Sequence, residues 1–205
     1  MARTKLRKFA EIGEMENVFV DPVEMKGKWG DVVLELACGA GDYAVALAQS
    51  CPERKFVGVD RKGDRIWVGA KKALGLNCSN VAFLHGQIAK LGEYFGPGEV
   101  SEIWITFPDP YEKPSKHKQR LTSERFLDVY KGFLKKGGVV HLKTDHLGLF
   151  NYTLGVIKAR GLKVLEKLQD VHGGGKIDDE LQILTHYEGR FLAEGRPIYY
   201  LKFKI

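Results

Sequence analysis

Ile103-Trp104-Ile105-Thr106-Phe107-Pro108-Asp109-Pro110-Tyr111 is a run of β-forming residues that stops at a carboxylate held between two prolines. Proline fixes its own φ and pushes the residue before it toward extended backbone, so Phe107 and Asp109 are both expected outside a helix. Asp109 then stands at the carboxyl end of a strand on stiff backbone. Beyond it come Lys113, Lys116, His117, Lys118 and Arg120, a cationic loop beside an anionic anchor. An isolated Asp-Pro ordinarily makes a solvated turn. The other strand ends decide whether this one does more.

Working outward, the chain alternates between two periods. Val32 to Ala37 reads as a strand, Gly39-Ala40-Gly41 as a tight turn, and Asp42 to Gln49 as a helix. Lys55 to Asp60 is the next strand, 63–74 a helix stopped by Gly75, and Val81 to Leu84 a third strand. After the fourth strand at 102–107, Thr122-Ser123-Glu124 opens a helix whose apolar stripe is Phe126, Leu127, Tyr130, Phe133 and Leu134. Lys135, Lys136 and Gly137 are expected to close that helix. Val139 to Thr144 is a fifth strand, 147–160 a helix, and Ile198 to Ile205 an alternating, half-exposed and antiparallel last strand. The βαβα order predicts an α/β fold, a mainly parallel Rossmann-like sheet with helices on both faces. Residues 1–30 form a basic arm or short helix leading to one domain over 31–205, and Arg3, Lys5, Arg7 and Lys8 there could meet a polyanion.

Ligands of open α/β sheets bind at the carboxyl ends of the strands. Those ends carry Glu35 with Gly39 and Gly41, then Asp60, Gln87, Asp109 and Asp145. Clustered carboxylates repel unless a cation or a set of donors sits among them. Gly39-x-Gly41-x-x-Ala44 followed by Asp60 satisfies a dinucleotide fingerprint, with the acid at about the ~20-residue distance that reaches a ribose hydroxyl. A dinucleotide, however, places its pyrophosphate at the helix N-terminus, and here Asp42 occupies that place with Glu35 close by. S-adenosylmethionine has no phosphate and brings a sulfonium and an ammonium, so the acidic turn favours it. The six histidines and three cysteines show no metal-ligand spacing. Cys38 lacks a neighbouring base, which makes it a packing residue rather than a nucleophile.

The 205-residue chain is long enough for a substantial core, and 44% hydrophobic with 28% charged residues is ordinary globular composition. A net charge of +6 suits an anionic partner. Unpaired cysteines suggest a reduced, cytoplasmic setting. No apolar stretch approaches the roughly 20 residues of a membrane span, and no signal peptide is visible.

Three blocks together resemble the bacterial tRNA (guanine-N7)-methyltransferases: Leu34 to Gly41, Phe107-Pro108-Asp109-Pro110 running to Arg120-Leu121-Thr122, and Thr185-His186-Tyr187-Glu188. The first block is shared by many methyltransferases; the second is the specific one. The resemblance spans about residues 30 to 204. It implies a seven-stranded class I methyltransferase sheet with one antiparallel C-terminal strand, and methylation at N7 of a guanine in the variable loop of tRNA. Carried over, Glu35, Gly39, Gly41, Asp60, Gln87 and Asp109 would contact S-adenosylmethionine, with Asp109 also at the reaction centre. Lys113, Asp145, Thr185, Tyr187 and Glu188 would face the RNA. Gln87 stands where the family usually has an acid and Tyr111 where it usually has Trp, while Ser115 and Gln119 thin the basic loop. Two other readings stay open at this level, a methyltransferase for small molecules or proteins and a non-catalytic RNA-binding module, as does the choice between monomer and homodimer.

Overall fold

The computed structural model describes the backbone of residues 2–205 and the side chains from Arg7 onward; the Arg3 and Lys5 side chains of the basic cluster lie outside the described residues. Eight strands form one sheet: β1 Val18–Val20, β2 Val32–Leu36, β3 Lys55–Asp60, β4 Val81–His85, β5 Val100–Thr106, β6 Leu134–Thr144, β7 Lys163–Leu168 and β8 Tyr199–Lys204. Their order is β1-β4-β3-β2-β5-β6-β8-β7. All neighbours are parallel except β6–β8 and β7–β8, so β8 alone runs against the rest. The helices are α1 Ala2–Ile12, α2 Asp42–Ser50, α3 Gly63–Gly75, α4 Leu91–Tyr94, α5 Glu124–Lys131, α6 Leu147–Ala159, α7 Asp179–Gln182 and α8 His186–Ala193.

The near-continuous apolar runs of the central strands follow from burial on both faces. All five residues of β2 are buried. Val32, Leu34 and Leu36 point into one apolar cluster with Val59, Ile103 and Leu142. Val33 points into the other, with Phe56, Ala70, Phe83 and Trp104. Each large aliphatic side chain buried in this way contributes about 1.5–3 kcal/mol.

Three expectations are corrected. The sheet has eight strands rather than seven, because the amino-terminal segment adds β1 beside β4. Three residues with no turn signal of their own do not announce a strand. The last strand is antiparallel as expected but more buried than its alternation suggests: β8 pairs with both β6 and β7, and Tyr200 is buried along with Leu201 and Phe203. The helix expected to run through Phe133 and Leu134 stops at Lys131, and Leu134 already pairs with Val100 as the first residue of β6. Phe133 and Leu134 satisfy a helical stripe and a buried strand equally well, and pairing with β5 decides.

Because β2 to β6 are parallel, their carboxyl ends open on the same side of the sheet. The loops leaving them enclose one large cavity of about 1240 Å³.

Candidate active site

The turn after β2 is built for close approach. Ala37, Gly39 and Gly41 all have positive φ, at +56°, +58° and +68°. A Cβ on Gly41 would stand 2.4 Å from the Phe83 ring, so both the backbone and the packing require glycine there. Beneath the turn, the Glu35 carboxyl accepts from the Ala44 N–H at 2.8 Å and pairs with the Thr106 hydroxyl at 2.9 Å, tying β2 to α2 and to the end of β5. Burial pushes its pKa up to about 8, against the pull of those two hydrogen bonds. Asp60 closes the other side, accepting from the Gly39 N–H at 3.0 Å and the Lys62 N–H at 2.8 Å. Asp42, the first residue of α2, pairs with Lys72 at 2.9 Å, so a carboxylate already sits at this helix N-terminus. The Cys38 thiol is buried and held well above its ordinary pKa by desolvation, which suits packing.

The Pro-Asp-Pro turn departs from the expected extended form. Phe107 has φ +47° and Tyr111 φ +42°, both left-handed, which costs on the order of 1–3 kcal/mol each for such residues. The surroundings hold them there. The Phe107 N–H donates to the Lys143 carbonyl at 2.8 Å, and its ring packs on Phe191 with centroids 5.6 Å apart. Arg120 is the clamp: its Nε donates to the Pro110 carbonyl at 2.7 Å and Nη2 to the Tyr111 carbonyl at 3.3 Å. Its guanidinium lies 4.4 Å from the centre of the Tyr152 ring. Arg120 is therefore 4% exposed and leaves the cationic loop to which the sequence assigned it. Lys113, Lys116 and Lys118 stay exposed around a 3-10 turn at Pro114–Gln119. Asp109, between the two left-handed residues, is exposed.

The third wall comes from the C-terminal segment. Asp145, just past β6, makes an ion pair with Arg196. Thr185 caps α8, accepting from the Glu188 N–H at 3.1 Å. Tyr187 is 46% exposed and faces the cavity. Glu188 is 0% exposed and turns the other way, its Oε1 meeting Lys143 at 2.8 Å and His172 at 2.9 Å. Lys143 Nζ also donates to the Leu181 and Ile183 carbonyls at 2.9 and 3.2 Å, and burial lowers its pKa while Glu188 opposes the shift.

Of the sequence-predicted residues, Glu35, Gly39, Asp60, Gln87, Asp109, Asp145, Thr185 and Tyr187 line the cavity. Gly41 packs behind it, and Lys113 and Glu188 are not on its wall. Sequence reasoning missed Lys143 and Arg196, which hold the C-terminal segment. Lys143 had left a signal, a cation inside the apolar run Val139 to Thr144.

A family model described as "Putative methyltransferase" matches residues 30–201. A protein named tRNA (guanine-N(7)-)-methyltransferase from Christiangramia forsetii is 43% identical over all of this chain and 99% of its own length. One of the same name from Bacteroides thetaiotaomicron is 42% identical over all of this chain and 87% of its own length. The chain belongs to the tRNA (guanine-N7)-methyltransferase family. Solved structures that resemble this family member include the 16S rRNA methyltransferase KamB, with TM-score 0.65, 16% identity and 89% and 91% of the two chains covered. A SAM dependent methyltransferase from Aquifex aeolicus matches with TM-score 0.58, 15% identity and 89% and 85% coverage. At that identity the likeness is one of fold. Among the described residues of this family member, no helix is long and apolar enough to cross a membrane, and no three His, Cys, Asp or Glu side chains gather as a metal site.

Proposed function

We propose that this protein transfers the methyl group of S-adenosylmethionine to N7 of a guanine in the variable loop of tRNA. The observation that carries the reading is that exposed Asp109, on its clamped turn, opens into the same cavity as Gly39 and Asp60. At about 1240 Å³ that cavity exceeds the roughly 300–1,000 Å³ that serves one small molecule, which leaves room for a base beside a cofactor.

The donor set fits the sulfonium cofactor. Asp42, paired with Lys72, already fills the helix N-terminus that a pyrophosphate would need. The Asp60 carboxylate is fixed by two backbone donors and keeps lone pairs for ribose hydroxyls. Gln87, past the end of β4, can both donate to and accept from an adenine edge. When bound, S-adenosylmethionine supplies the electrophilic methyl.

Guanine N7 attacks with a lone pair and has no proton to lose, so no general base is required. The protein's task is orientation and charge. Asp109 accepts from guanine N1–H and the exocyclic amine, turning N7 on the opposite edge toward the cofactor end of the cavity. Its charge also favours the purine as it becomes cationic. Tyr111 and Tyr187 border the same space and offer faces to a base swung out of its stack. Lys113, Lys116 and Lys118 supply phosphate contacts at the rim.

Incubating the protein with bulk tRNA and methyl-labelled cofactor, then cleaving chemically at N7-methylguanosine, tests the assignment. Cleavage at one variable-loop guanosine is the expected outcome. Label that enters protein or small molecules but not tRNA would refute it.

A further inference from the structure

The amino-terminal segment joins the cavity through Phe9 and Asp21. In α1, Ile12 is 1% exposed and Phe9, one turn earlier on the same face, is 43% exposed. Both rest on α3 at Gly63, where a Cβ would stand 2.9 Å from Phe9 Cε2 and 3.0 Å from Ile12 Cδ1. The helix is pinned on its neighbouring face, where Glu11 accepts from Trp67 Nε1 at 2.6 Å and the Lys8 ammonium lies 4.4 Å from the centre of the Trp67 ring. Docking is thus secured by Ile12, Glu11 and Lys8. The Phe9 ring extends past these contacts to the cavity edge, where it meets His85 edge-on with centroids 5.1 Å apart.

The place of that aromatic pair matters. His85, the last residue of β4, is the register partner of Asp60 on β3, and Gln87 lies two residues further on. His85 is held by the Arg61 carbonyl at 3.2 Å on its Nε2, and its own carbonyl accepts from the Asp21 N–H at 3.2 Å. Ile12 anchors the helix on α3, while the Phe9 ring covers Gly63 with one edge and leaves the rest open at the cavity. Beside a ribose acceptor and an adenine-edge amide, it offers a face for stacking.

We propose that Phe9, set against His85, is a binding residue for the adenine ring of the cofactor, so that α1 forms part of the cofactor site. The inference rests on the reading of this cavity as an S-adenosylmethionine site. Stacking of a base on an aromatic side chain is worth enough that its loss weakens binding on the order of tenfold.

Calorimetry with S-adenosylhomocysteine on the full chain separates the two claims. Phe9→Ala and Phe9→Leu are both expected to bind on the order of tenfold more weakly, with the melting temperature unchanged in Phe9→Leu. Leu preserves apolar packing on Gly63 but has no ring face, so it excludes loss of helix docking as the cause. Phe9→Trp is expected to bind within about twofold of wild type, and its added indole fluorescence, after subtraction of the wild-type signal, to be quenched by the ligand. Wild-type affinity in Phe9→Leu, or an unquenched indole in Phe9→Trp, overturns the inference while leaving the cofactor reading intact. A wild-type protein that fails to bind S-adenosylhomocysteine overturns the cofactor reading, and this inference with it.

Discussion

The floor and the wall of the cavity use the same side-chain chemistry to different ends. On the floor Glu35 is buried, and behind the wall so is Glu188, and both are engaged by protein partners. Glu35 joins three elements through Ala44 and Thr106, and Glu188 answers the buried ammonium of Lys143. On the wall, Asp109 is exposed to the cavity, while its backbone is held from behind by Arg120. A carboxylate near an active site is therefore not yet a ligand contact. What separates the two groups is whether protein donors already consume the lone pairs and whether the carboxylate is exposed.

The largest effect that would sharpen this contrast is expected at the buried Glu188 pair. Lys143→Met leaves Glu188 buried without its cation and frees the Leu181 and Ile183 carbonyls. The loss expected is about 3–5 kcal/mol of unfolding free energy, read by denaturant titration. A loss within about 1 kcal/mol of zero would show that the fold does not depend on the Glu188 ion pair. Asp109→Asn should do the reverse, leaving the denaturant midpoint in place. Single-turnover methyl transfer with both substrates saturating should then fall on the order of 10²-fold, since orientation and charge are lost together. Near-normal transfer would make Asp109 structural.

The smallest effect is one of pH. The folded-state pKa of Glu35 is raised to about 8 from an ordinary 4.5, so the native state holds its proton more tightly than the unfolded chain does. The stability this contributes is complete below the ordinary value and disappears as pH rises through about 8. Wild-type melting temperature should therefore decline relative to Glu35→Gln as pH rises from 4.5 to about 8, and level off above that. Parallel melting curves for the two proteins across that window would show that Glu35 is ionised in the folded state and belongs with Asp109.

Much of this was legible because it is local. The regular βαβ units, the glycine turn, Asp60 at the next strand end and the Pro-Asp-Pro stop are written in hydrophobic period and in residues with restricted backbones. Those signals need no knowledge of the rest of the chain, and eight of the eleven predicted site residues do line the cavity. The boundary between α5 and β6 was not legible, because Phe133 and Leu134 suit both periods and only pairing with β5 chooses.

The sequence by itself determined the alternation of elements, the parallel sheet and the edge at which a ligand must bind, since these follow from periodicity and chain direction. Only the tertiary structure decided which charged residues serve the fold and which face the cavity. Arg120 and Lys116 look alike in the sequence, four residues apart in one basic loop. One is buried against two backbone carbonyls and an aromatic ring, and the other is in water. The same holds for Tyr187 and Glu188, neighbours on α8 that point to opposite sides. Burial and partner geometry arise from segments far apart in sequence, and for a charged side chain those two quantities settle its role.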